Sequence, residues 1–139
     1  MRITLAALML FLLLFPDRST AGDADAAERP IRDVISSQIE AFRLDDFTLA
    51  FDYASPTIRG MFGSPERFGR MVRDGYPMVH RPDTLRFGDL REERGLLWQR
   101  VIVTDAGGRM HLLDYQMIET GQGWRINGVV LVPAPEAGV

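Results

Sequence analysis

The sequence predicts an α+β fold in which N-terminal helices pack on a curved four-stranded antiparallel meander sheet. Three observations carry this expectation. Apolar residues recur at helical spacing through residues 30–75. From Leu85 onward the pattern changes to runs rich in Val, Ile, Leu and Trp. Short glycine-containing turns separate those runs at Arg94-Gly95, Asp105-Ala106-Gly107-Gly108 and Thr120-Gly121-Gln122-Gly123, so consecutive strands become hairpin neighbours.

Pro30 suits a first helical position. Ile31, Val34, Ile35, Ile39 and Phe42 follow at helical spacing, with Arg32, Asp33, Gln38, Glu40 and Arg43 on the other faces. The first helix is therefore expected over about 30–44. Asp45 or Asp46 caps a second, short helix with a stripe of Phe47, Ala50, Phe51 and Ala54. Ser55-Pro56 interrupts it, and a brief turn through Ile58, Met61 and Phe62 ends at Gly63. Ser64-Pro65-Glu66 combines a capping hydroxyl, an N-terminal proline and an acid in the first turn. Phe68, Met71 and Val72 form the apolar side of that helix, and Gly75 stops it. Pro77 and Pro82 predict an extended or turning segment over 76–84.

Strands are expected at 85–92, 96–104, 109–119 and 124–132, with Pro133 and Pro135 closing the chain. Their alternation is not clean. The third strand carries Met110, Leu112 and Ile118 on one parity and Leu113, Tyr115 and Met117 on the other. The fourth sets Trp124, Ile126 and Val130 against Val129 and Leu131. A sheet with one wet face alternates apolar with polar, and the helices cover one face only. The second face is expected to meet either the C-terminal tail or another copy of the chain, which makes a homodimer through the sheet the expected assembly.

The 139 residues are 46% hydrophobic and 25% charged, which favours one folded domain. Cysteine is absent, which excludes disulfides, thiolate metal sites and a cysteine nucleophile. All 16 basic residues are Arg, against 19 acids and a net charge of −3, so no global field attracts nucleic acid. Met1-Arg2, the apolar run Ile3–Phe15, the break at Pro16-Asp17-Arg18 and the small residues Ser19-Thr20-Ala21 have the layout of a secretory signal peptide. Cleavage after Ala21 or after Ala26 is expected, with export to the periplasm and no stable membrane insertion afterwards. The expected layout is a signal peptide over 1–21, a flexible leader over 22–29, one α+β domain over 30–133 and a C-terminal tail over 134–139.

Helices followed by a long curled antiparallel sheet resemble the nuclear-transport-factor-2-like (cystatin-like, α+β cone) superfamily. Within it, three stretches resemble the bacterial family known as domain of unknown function 4864. They are Ala54-Ser55-Pro56-Thr57-Ile58 with Met61-Phe62-Gly63, then Phe68 through Met71-Val72 to Gly75-Tyr76-Pro77, and Gly123-Trp124-Arg125-Ile126-Asn127-Gly128. The resemblance spans about residues 30–132 and implies fold and size. It implies no activity, substrate or catalytic residue.

The candidate chemistries are few. His80 and His111 stand 31 positions apart with no further His or Cys at ligand spacing, so no metal site and no cofactor is expected. The serines lack a nucleophile elbow, and Gly121-Gln122-Gly123 is a hairpin turn rather than a phosphate loop. Arg67, Arg70, Arg73 and Arg81 read as a solvated helix face. General acid–base chemistry has one weak candidate, Asp114, at a mid-strand position where a cavity would raise its pKa. The alternative for Asp114 is an ion pair with Arg100 across the strands. Tyr53, Tyr76, His80, Trp98 and Tyr115 are the candidate pocket residues. The favoured expectation is a non-enzymatic module that binds a small apolar ligand, in an enclosed cavity of roughly 300 Å³ or more, or that serves assembly. A small isomerase-like enzyme on Asp114 and a protein-interaction module using the sheet face are the alternatives.

Overall fold

The computed structural model describes residues 20–133, with side chains from residue 25. Five helices precede four strands: α1 (Thr20–Arg43), α2 (Phe47–Asp52), α3 (Pro56–Phe62), α4 (Pro65–Gly75), α5 (Pro77–His80), β1 (Thr84–Glu93), β2 (Leu96–Thr104), β3 (Met110–Thr120) and β4 (Gly123–Val132). The strands form one sheet in the order β1-β2-β3-β4, every neighbouring pair antiparallel. This is the expected α+β meander, with each strand within one residue of its expected bounds.

Two helical segments differ from expectation. Residues 22–29, expected to be a flexible leader, belong to α1, which runs continuously through Pro30. A proline inside a helix forfeits one backbone bond. Here Ala27 packs into the core and a Glu28–Arg32 ion pair bridges the proline, while the alanines at 21, 24, 26 and 27 favour helix. Residues 77–80, expected to be extended or turning, form α5, because Pro77 occupies its first turn and needs no N–H there. The expected signal peptide lies almost wholly outside the described residues, as does the tail after Pro133.

The connections are specified locally. Asp46 accepts a bond from Leu49 N to cap α2, Ser55 from Ile58 N to cap α3, and Ser64 from Arg67 N to cap α4. Gly63 ends α3 at φ 77°, a left-handed conformation that favours glycine. The β1–β2 turn takes positive φ at both Arg94 and Gly95, matching the twist of a tight hairpin.

Sheet face is decided by register. Val101, Val103, Leu113, Tyr115, Met117 and Ile126 point to the helices and join Ile31, Ile35, Ile39, Phe42 and Phe68 in one core. Trp98, Arg100, Ile102, Leu112, Asp114 and Ile118 have the opposite parity and form the outer face. Bulges between Phe87 and Leu90 and between Gln116 and Met117 bend the sheet. At the first bulge Gly88 is required by space, since a Cβ there would lie 2.7 Å from Arg100 Cγ. Its carbonyl accepts bonds from buried Gln99 Nε2 and from Arg32.

Candidate functional site

The interior is not completely filled. A cavity of about 230 Å³ lies between α1, α3, α4 and the β3–β4 half of the sheet. The second sequence stretch supplies much of its roof: the capped start at Ser64 sets the phase of α4, so Phe68, Met71 and Val72 face the sheet. Phe68 is the hub, with ring centroids 5.8 Å from Phe42, 5.4 Å from Phe51 and 5.7 Å from Phe62. Ile58 and Phe62 of α3 close one side, and Met61, 71% exposed, stands at the rim. Ile126, Gly128 and Val129 of β4 and Tyr115 of β3 form the floor.

One docking contact holds α3 over that floor. Ser55 N donates to Ile126 O at 2.8 Å and Ile126 N donates to Tyr53 O at 2.9 Å, a short parallel bridge along the free edge of β4. Ser55 Oγ, fully buried, donates to Asn127 Oδ1 at 2.8 Å, and Asn127 Nδ2 donates to Gln116 Oε1 at 2.7 Å. Asn127 sits at the β3–β4 bulge, so the Ala54-Ser55-Pro56 and Trp124–Gly128 stretches meet in space.

The walls carry three polar side chains and, among the described residues, no charged one. Gln38 Nε2 donates to Ala50 O at 3.0 Å. Tyr76 Oη donates to Val129 O at 3.3 Å. Tyr115 is completely buried, and its hydroxyl has no hydrogen-bond partner among the described residues. Burial raises its pKa well above that of an ordinary phenol, with Tyr76 adding to the shift, so it remains protonated.

Of the five candidate pocket residues, the cavity gathers Tyr76 and Tyr115. The other three lie elsewhere. Tyr53 ends α2, and its carbonyl serves the β4 bridge. His80 lies at the end of α5, its Nε2 2.7 Å from Asp45 Oδ1 and its ring 5.9 Å from that of Phe47. Asp45 takes φ 54° there and also accepts from Arg81. Trp98 lies on the outer face, opposite Gln116. The position of all three depends on strand parity and helix phase, and for His80 on the 76–84 segment folding into α5 beside Asp45.

Asp114 does not meet the requirement for a general base, which was an inward carboxylate free of arginine. It lies on the outer face and is clamped by two arginines: Arg100 Nε at 2.7 Å from Oδ1, and Arg91 Nη2 at 2.8 Å from Oδ2. Burial raises its pKa, but hydrogen bonds from Arg91 and then Arg100 outweigh this and hold it below the usual carboxylate value. Arg91 is in turn shifted upward, chiefly by Asp114. The pair is an ionised structural clamp.

Gln38 was missed. It counted among the polar positions of the first helix, yet it is buried and lines the cavity. The available signal was its spacing from Ile31, Ile35 and Phe42, which places it on the apolar stripe. Among the described residues no group of three or more His, Asp or Glu converges as a metal site, and no helix is long and apolar enough to cross a membrane.

No characterised protein and no solved structure matches the chain in sequence or fold comparisons. A family model, described as domain of unknown function (DUF4864), matches residues 24–139. That span contains all three motif stretches, the cavity and the whole sheet, and the chain belongs to the DUF4864 family.

Proposed function

We propose that this protein is an exported binding module for a small apolar molecule, held between the helices and the β3–β4 floor. The single observation that carries the reading is an apolar cavity of about 230 Å³ whose described walls contain no charged side chain. A water-exposed carboxylate or imidazole positioned for proton transfer is not among those wall residues, which supports binding over catalysis. The volume falls short of the roughly 300 Å³ expected from the sequence, which is the lower end for drug-sized ligands. It exceeds the roughly 150 Å³ in which an apolar protein cavity holds benzene. A ring with a short substituent is the size that fits.

Helices followed by a bulged antiparallel meander support a cone of the nuclear-transport-factor-2-like type. Export rests on the basic start and apolar run of residues 1–15. Cleavage after either Ala21 or Ala26 would leave Ala27, the first buried residue of α1 among those described, in the mature chain.

The test is thermal unfolding with cumene (isopropylbenzene) as ligand. Binding to the native state adds RT ln(1 + [L]/Kd) to the unfolding free energy and so raises Tm. Cumene is expected to raise Tm in the wild type and not in Ile58→Trp, which fills the cavity from α3. No rise in the wild type at saturating cumene would overturn the reading.

The outer sheet face supports a second reading, self-association. Leu96, Met110 and Val130 are exposed there beside Trp98 and Leu112, while Asp114 and Glu93 together balance the charges of Arg91 and Arg100 at its centre. Sedimentation equilibrium at micromolar concentration is expected to give a dimer; a monomer removes this reading.

A further inference from the structure

We infer that the ligand of this cavity is a neutral molecule with one hydrogen-bond acceptor, such as a ketone or ester oxygen, which the Tyr115 hydroxyl holds. The inference rests on the binding reading above and adds the chemical class. Three observations converge on it. First, Tyr76 Oη is spent on Val129 O, and Gln38 Nε2 spends one of its two N–H groups on Ala50 O. Second, Tyr115 lines the same cavity, and its hydroxyl is buried without a partner among the described residues. Buried polar groups in proteins are almost always satisfied, so an orphaned donor in a cavity wall marks where an acceptor belongs. Burial also keeps the phenol protonated, so it can donate.

Third, the described walls offer no charged side chain. A carboxylate or ammonium ligand would lose its hydration there with no counter-charge to offset the loss. An uncharged carbonyl needs only one donor, and the Tyr115 hydroxyl is wholly unspent among the described residues. Phe68, Met71 and Ile126 supply the apolar surround for the rest of the molecule.

The experiment uses carbonyl-¹³C acetophenone, its oxygen-free shape mimic cumene, and benzoate, each titrated into the full chain and into Tyr115→Phe. Acetophenone affinity is expected to fall three- to tenfold in Tyr115→Phe, the range of one net hydrogen bond, while cumene affinity stays unchanged. Bound to the wild type, the carbonyl carbon resonance moves downfield of its position in hexane. In Tyr115→Phe it returns towards the hexane position, a change that a merely structural tyrosine would not produce. Benzoate is expected not to bind.

Equal acetophenone affinity in both proteins, or benzoate binding as tightly as acetophenone, overturns the inference while cumene binding leaves the pocket reading intact. If cumene does not bind the wild type, the pocket reading fails and takes the inference with it. Should Tyr115→Phe not fold, the wild-type resonance decides alone: a bound carbonyl at its hexane position overturns the inference.

Discussion

Asp114 and Tyr115 are adjacent in sequence and point to opposite faces of the sheet, and their environments could hardly differ more. Asp114 is compensated by two guanidinium groups, whereas the Tyr115 hydroxyl has no protein partner among the described residues. Asp114→Asn is expected to destabilise the fold by about 2 kcal/mol at neutral pH. That is below the 3–5 kcal/mol of a fully buried pair, because each arginine keeps about a third of its side chain in water. The folded pKa is depressed, so this stabilisation is present above the unfolded Asp value of about 3.9 and is lost as pH falls through the folded pKa. Urea titrations of wild type and Asp114→Asn at pH 7 and below pH 4 check this: the difference between them shrinks in acid. Gly69 sets a second constraint at this scale. A Cβ on it would meet the Phe47 ring at 2.6 Å, at atoms close to the ring's attachment, so the ring must be displaced. Gly69→Ala is expected to cost about 1–3 kcal/mol by overpacking, read from the same titration.

Among the elements, α3 depends most on its contacts with the rest of the fold. It is seven residues long and buries no residue fully, so packing alone holds it weakly. Ser55 compensates by capping the helix and bonding to Asn127. Ser55→Ala removes both and leaves Asn127 Oδ1 short of a donor, with an expected loss of about 2 kcal/mol. Ser64→Ala removes a cap of the same kind at a more exposed site and is expected to cost about 1 kcal/mol. Comparing the two Tm shifts separates capping from docking. The variants also bear on the cavity, since Ile58 and Phe62 reach it from α3. Loosening α3 is expected to weaken cumene binding more than the equivalent change at α4.

Across the whole molecule, stability follows the layering of the sheet. β2 and β3 are the inner strands and carry the most buried residues, whereas β1 and β4 have free edges relieved only by local contacts. Native-state hydrogen exchange is expected to be slowest at Val101, Val103, Leu113 and Tyr115 and fastest, among the helices from α2 to α4, in α3. Faster exchange at β2 than in α3 would contradict this layering. Acid weakens the molecule at further points: hydrogen bonds from His80 and then Arg81 hold Asp45 below its ordinary pKa, and those from His111 and then Arg109 N do the same for Asp105. Both contacts tie turns to their neighbours, α1 to α5 and β2 to β3, so their loss below about pH 4 loosens connections rather than the core.

The order of helices before hairpins, the caps at Asp46 and Ser64 and the strand bounds were all legible in the chain, because they depend on periodicity and turn chemistry within a few residues. The sequence also carried the Arg100–Asp114 pairing as an alternative, since cross-strand register follows from the hairpin turn. Helix formation through Pro30 was not legible: a proline marks a helix start by its own chemistry, and the burial of Ala27 and the Glu28–Arg32 ion pair carry the helix further. Which sheet face turns inward was likewise undetermined, because both parities of β3 are apolar and hydrophobicity cannot choose between them. Contact with the stripe of α1 made that choice, and with it placed Tyr115 inside, Trp98 and Asp114 outside, and Gln38 at the cavity wall. Local chemistry determined the elements, and long-range packing alone decided which of their side chains share a site.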